Sequence, residues 1–99
     1  MPNPLPAGSP ALADAPWLVY ILECRDGSLY TGITNDIERR LQQHNDGTGA
    51  RYTRSRRPVR LRYHEICENR SAALLRECSL RLLSRKEKDA LLAKHDAAK

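Results

Sequence analysis

Two apolar, aromatic-bearing runs, "WLVYILEC" (Trp17 to Cys24) and "SLYTGI" (Ser28 to Ile33), are separated only by Arg25, Asp26 and Gly27. Each run is short for a helix and rich in the β-branched, aromatic and aliphatic side chains that suit a pleated strand, and Asp-Gly is a strong turn dipeptide. The pair predicts an antiparallel β-hairpin. The first run is apolar on both faces, so the sheet it enters must be covered on both sides. Loop length then decides which side chains meet. A two-residue turn at Asp26-Gly27 pairs Tyr20 with Ile33 and sends Tyr20 and Tyr30 to opposite faces. A three-residue loop with Gly27 in the left-handed region puts both tyrosines on one face and sets Gly32 opposite Tyr20. The three-residue loop is the expectation.

Downstream, Asn35 to Glu38 fits a capping box, with Asn35 as the cap and Glu38 reaching back, and opens a helix that should stop near "NDGTGA". Gly47 to Pro58 reads as a basic loop with a hinge at Gly47-Thr48-Gly49. From Val59 to Cys67, Val59, Leu61 and Tyr63 alternate with Arg60, Arg62 and His64, the period of a half-exposed strand. "SAALLRECSLRLL" places Leu74, Leu75, Cys78 and Leu82 on one helical face. Ser84 to Glu87 is a second capping box, opening a helix to about Ala93. The order β-β-α-β-α-α predicts an α+β fold with a small three-stranded antiparallel sheet and flanking helices.

A chain of 99 residues buries a modest core, so a site must lie at the surface or in a shallow cleft. Residues 1–16 hold five of the six prolines and read as a disordered leader, leaving 17–95 as one domain. The leader lacks a basic n-region and a continuous apolar segment and so does not read as a signal peptide, and no run in the chain approaches the roughly 20 apolar residues of a membrane span. Three cysteines without zinc-ligand spacing read as reduced thiols, which fits a cytoplasmic protein.

Helical geometry separates the adjacent arginines. With Ile37 at zero, Leu41 lies near 40°, His44 near 340°, Arg40 near 300° and Arg39 near 200°, at about 100° per residue. Arg40 and His44 thus flank the stripe that faces the sheet, while Arg39 points to water. A guanidinium there needs a carboxylate, an aromatic ring or an anionic ligand. Glu77 falls beside the stripe expected for its helix. It can pair with Arg81 one turn on, or serve as the single carboxylate that a magnesium ion needs when water and phosphate supply its other ligands.

The net charge of +5 favours a polyanionic partner. Arg51, Arg54, Arg56, Arg57, Arg60 and Arg62 put six arginines in 12 residues, with Tyr52 among them. Arginines bind phosphates and exposed tyrosines stack on splayed bases, so this segment is the candidate nucleic-acid contact.

"LVY" (Leu18 to Tyr20), "YTG" (Tyr30 to Gly32), "NDIERRLQQHN" and the later Glu77 together resemble the GIY-YIG nuclease superfamily, closest to its small stand-alone bacterial branch. The likeness spans roughly Trp17 to Leu92 and includes the "RYTRSRRPVRL" loop. It departs at Leu18, Val19 and Thr31, positions that shape backbone and packing. The resemblance implies a β-β-α-β-α core and an endonuclease that hydrolyses DNA phosphodiester bonds with Mg²⁺ or Mn²⁺, in repair or processing. It also implies Tyr20, Tyr30, Arg40 and His44 as catalytic residues and Glu77 as the metal ligand. Either Tyr20 or His44 can be the general base. The DNA can be single-stranded, damaged or branched. The alternatives are a catalytically weak nucleic-acid-binding module and a subunit that needs a protein partner.

Overall fold

A computed structural model describes residues 15–98. Three strands, β1 (Trp17–Glu23), β2 (Leu29–Thr34) and β3 (Arg60–Cys67), form one sheet in the order β2-β1-β3, with β1 antiparallel to both neighbours. The helices are α1 (Ile37–Asp46), α2 (Arg51–Arg54), α3 (Arg70–Arg81) and α4 (Arg85–Ala97). No helix among the described residues is long and apolar enough to cross a membrane. Residues 1–14 of the expected leader lie outside the described residues.

The hairpin has the three-residue loop. Gly27 sits at φ 85°, the Cys24 N–H donates to the Ser28 carbonyl at 2.8 Å, and Tyr20 is paired with Gly32. One face of the sheet contributes Val19, Ile21 and Tyr63 to a cluster closed by Leu80 of α3 and Leu92 of α4. The other contributes Tyr20 and Leu22, packed with Val59, Tyr30, and Ile37 and Leu41 of α1. The both-sided cover expected of an apolar central strand is therefore present.

Four local expectations need correction. The cap of α1 is Asp36, whose carboxylate accepts from the Arg39 N–H at 3.2 Å, one residue later than the Asn35 box. The Thr34 hydroxyl accepts from the Asp36 N–H at 3.0 Å and so holds the bend at Asn35 that separates the strand from the helix. Second, β3 does not alternate evenly. Ile21 pairs with Tyr63 and Leu22 with Leu61, so Arg62 is the extra residue of a bulge, and Leu61 and Tyr63 pack in different clusters. Third, the basic segment after Gly47 is not all loop, because Arg51–Arg54 forms a helical turn. Fourth, α4 runs past Ala93 to Ala97, although the Ser84–Glu87 capping box opens it as expected.

The largest correction concerns α3. Leu74, Leu75, Cys78 and Leu82 are all exposed, Leu75 and Leu82 by 72% and 86%, while Ala73 and Leu80 are fully buried. The inward stripe is Ala73, Glu77 and Leu80, spaced i, i+4, i+7. Ala73 is small enough to bring the helix axis close to the sheet. Glu77, between it and Leu80, is thereby turned inward with a side chain only 17% exposed.

Candidate active site

Tyr20 lies at the centre of β1 and is 1% exposed; His44, in the last turn of α1, is fully buried. The wheel position that put His44 beside Ile37 and Leu41 brings its ring under the sheet, where Nε2 lies 3.0 Å from the Tyr20 hydroxyl. On the other side of the ring, Nδ1 lies 2.8 Å from the hydroxyl of Thr53, also fully buried, which itself donates to the Ala50 carbonyl at 3.0 Å. A hydroxyl that spends its proton on a carbonyl accepts from Nδ1–H, and this assigns the tautomer with Nε2 bare. Tyr20 then donates to His44. The Ala50 N–H approaches Nδ1 only at 3.4 Å and is the weaker contact.

Two glycines make this proximity possible. A Cβ on Gly32 would stand 2.5 Å from the Tyr20 hydroxyl oxygen, and a Cβ on Gly49 would stand 2.5 Å from His44 Nδ1 and 2.9 Å from its Cα. Gly49 is thus a packing requirement. Gly47, at φ 86°, is the left-handed cap that ends α1.

Burial dominates the electrostatics. It pushes the Tyr20 phenol up to about 12, against Arg40, which pulls it down from beside the hydroxyl, while the charge of Glu77 adds a smaller upward push. It pushes the His44 imidazole down to about 4, and the positive charge of Arg40 acts in the same direction. At neutral pH the pair is Tyr–OH and neutral imidazole. Arg40 is half-buried, with Nη1 donating to Gln43 Oε1 at 3.0 Å, whereas Arg39 is exposed, as the wheel requires.

An aromatic series leads outward from the pair. The Tyr30 ring centroid is 6.5 Å from that of Tyr20 and 5.3 Å from that of His44. Tyr52 stacks on Tyr30 at 6.0 Å and 26° between planes, and the Arg56 guanidinium lies 4.0 Å from the Tyr52 centroid on the ring face. Leu29, Tyr30, Thr31, Tyr52, Arg81 and Lys88 line a cleft of about 230 Å³ beside the edge strand β2. Glu77 Oε2 is 3.9 Å from Arg81 Nη1 on that side, the weak i, i+4 pairing anticipated from spacing.

The arginines of the basic segment do not act as one surface. Arg56 Nε pairs with Asp26 at 3.2 Å, Arg60 and Arg62 both pair with Glu23, and Arg62 also reaches Asp96 at 3.1 Å. Arg57 donates to the carbonyls of Arg54 at 2.8 Å and Asn45 at 3.2 Å. Among the described residues, no side-chain bond engages Arg51 or Arg54. Sequence reasoning missed Thr53 and the packing role of Gly49. Only the fold shows that the chain after Gly47 returns to the histidine.

The residues present fit a water-rich, magnesium-type ion, for which the inward-turned Glu77 carboxylate with solvent and phosphate oxygens suffices. No group of three or more His, Cys, Asp or Glu side chains that could hold a metal occurs among the described residues.

A three-stranded sheet carrying paired tyrosines, with an arginine-and-histidine helix beneath it, is the arrangement of a GIY-YIG catalytic domain, and residues 16–89 match that family, so the chain belongs to it. A UPF0213 protein of Desulfotalea psychrophila is 54% identical over 77 residues, covering 77% of this chain and 70% of its own. One from Halobacterium salinarum is 51% identical over 73 residues, covering 74% and 95%. The solution structure of an E. faecalis protein superposes with a TM-score of 0.57 at 44% identity, over 83% of this chain and 88% of that one.

Proposed function

We propose that this protein is a metal-dependent endonuclease that hydrolyses DNA phosphodiester bonds through Tyr20, Tyr30, Arg40, His44 and Glu77. The observation that carries this reading is the hydrogen-bonded chain from Tyr20 through His44 to Thr53, because it gives the Tyr20 phenol an oriented proton acceptor that it lacks alone. A phenol pushed up to about 12 and an imidazole pushed down to about 4 are each poor bases in the free site, but negative charge developing on a bound phosphate favours the imidazolium, so a phenol that donates to the bare nitrogen can take a proton while passing its own along.

In the proposed reaction, water attacks phosphorus, its proton goes to the Tyr20 oxygen, and the Tyr20 proton goes to His44 Nε2. The P–O bond to the leaving strand breaks, that oxygen is protonated from solvent, and the imidazolium returns its proton to solvent through Tyr20, which restores the neutral pair. Thr53 holds the imidazole in the required tautomer. Arg40 donates to the phosphoryl oxygens as negative charge develops. Glu77 would hold Mg²⁺ or Mn²⁺, which when bound supplies charge neutralisation at the phosphate. Tyr30 and Tyr52 stack beside the buried pair, and Tyr52, carried on a four-residue helix, would have to shift for substrate to reach Tyr20.

The test is incubation with labelled single-stranded, duplex, nicked and branched DNA in Mg²⁺, Mn²⁺ or EDTA, beside Glu77→Ala and Arg40→Ala. Cleavage that needs the metal and is lost in both variants supports the assignment. Binding without cleavage by the wild type under every condition overturns it in favour of a binding module.

A further inference from the structure

Arg25, Arg54 and Arg57 line an open concavity of about 540 Å³, with Asn45, Ser55 and Pro58 completing the wall. No carboxylate contributes to it. Asp26 is engaged by Arg56 and Glu23 by Arg60 and Arg62, and Asp46, which follows Asn45 on α1, is not among the residues that line the concavity. Among the described residues, the side chains of Arg25 and Arg54 make no hydrogen bond or ion pair. Arg57 is bonded only to backbone carbonyls, which fix its guanidinium without cancelling its charge. The wall behind is held as well, since the Asn45 amide both accepts from the Val59 N–H at 2.7 Å and donates to the Val59 carbonyl at 3.0 Å. Three like charges around one recess repel each other, and an anion bound between them relieves that repulsion.

Building on the nucleic-acid substrate proposed above, we infer that this concavity binds the terminal phosphate of a nucleic-acid strand. An internal phosphodiester carries one charge and belongs to a continuous row, which an open basic track matches. A phosphate monoester carries close to two charges at neutral pH and three acceptor oxygens, and guanidinium groups converging from several directions match that better. The concavity is joined to the candidate active site by single steps of the chain. His44 and Thr53 bond to each other in the site, and the residues that follow them, Asn45 and Arg54, line the concavity. One two-helix unit thus carries both, at a separation on the order of a helix diameter, ~10 Å. A strand end seated here presents a bond a few nucleotides inward to Tyr20 and Arg40.

The test uses the full chain carrying Glu77→Ala in EDTA, so that binding is read without cleavage. Labelled single-stranded oligonucleotides of one sequence carry a 5′-phosphate, a 3′-phosphate or hydroxyls at both ends, and affinity is measured by anisotropy. A phosphate at one end is expected to tighten binding about tenfold, the scale of one added charge-assisted contact. The gain disappears in Arg25→Ala and in Arg54→Ala, survives in Arg39→Ala, which removes the same charge from an exposed position on α1, and is competed away by inorganic phosphate. The two phosphorylated arms show which end is held. Equal affinity for all three oligonucleotides overturns the proposal, as does an equal loss of the gain in the Arg39 variant. Failure of the nuclease reading looks different, because wild type would then cleave nothing in Mg²⁺ while the phosphate-dependent gain remained.

Discussion

The Tyr20 hydroxyl and His44 Nε2 lie 3.0 Å apart, joined across 24 residues of sequence and shielded from solvent. On the proposed mechanism, removing the hydroxyl separates chemistry from binding. Tyr20→Phe is expected to lower kcat by roughly 10²–10⁴-fold, the usual range for a positioned proton-transfer group. DNA affinity in EDTA stays unchanged. Leaving the imidazole nitrogen without a donor costs about 1–3 kcal/mol of stability, read by urea denaturation.

The depressed imidazole makes stability depend on pH with a definite sign. Unfolded His44 binds a proton below about 6.5, whereas the folded protein resists it until about 4. The unfolded state therefore holds more protons between those values, and stability falls as pH drops through that window, by at most about 3 kcal/mol. Chemical denaturation at a series of pH values should show this slope, and His44→Gln should remove it.

In the proposed mechanism Thr53 acts through His44. Thr53→Val keeps the shape, removes the acceptor for Nδ1–H and leaves the tautomer unspecified. Its expected effect is a loss of about tenfold or more in kcat with KM unchanged, rescued by Thr53→Ser. A purely structural role would lower stability in both variants and leave the kcat-against-pH profile of the folded protein unmoved.

Gly32→Ala places a methyl 2.5 Å from the Tyr20 hydroxyl oxygen, which is buried and has no room to retreat. Overpacking of this kind costs about 1–3 kcal/mol. The variant is expected to melt lower and to lose activity, because the displaced hydroxyl no longer meets His44.

The inward face of α3 is open to a direct comparison. Leu80→Ala should destabilise by about 2–5 kcal/mol, and Leu75→Ala should change stability by no more than about 0.5 kcal/mol. Equal losses from the two would restore the outward leucines to the core.

Much of the site is legible in the sequence, for local reasons. The hairpin, its left-handed Gly27, the pairing of Tyr20 with Gly32 and the Ser84 capping box follow from turn chemistry and contacts within a few residues. The separation of Arg39 from Arg40, and the inward aim of His44, follow from helical periodicity alone. On α3, periodicity misleads, because Leu74, Leu75, Cys78 and Leu82 form a convincing stripe while the buried one is Ala73, Glu77 and Leu80. Side-chain hydrophobicity does not encode how closely two backbones approach, and it is the small Ala73 that lets the helix sit against the sheet and turns Glu77 inward. The bulge at Arg62, the return of Thr53 to His44 and the division of the arginines into paired and unpaired groups likewise join residues distant in sequence. The sequence by itself determined the three strands, the three longer helices and their chemical cast through interactions spanning a few residues. Only the tertiary structure decided which side chains share a site, because that depends on close packing between elements brought together from far along the chain.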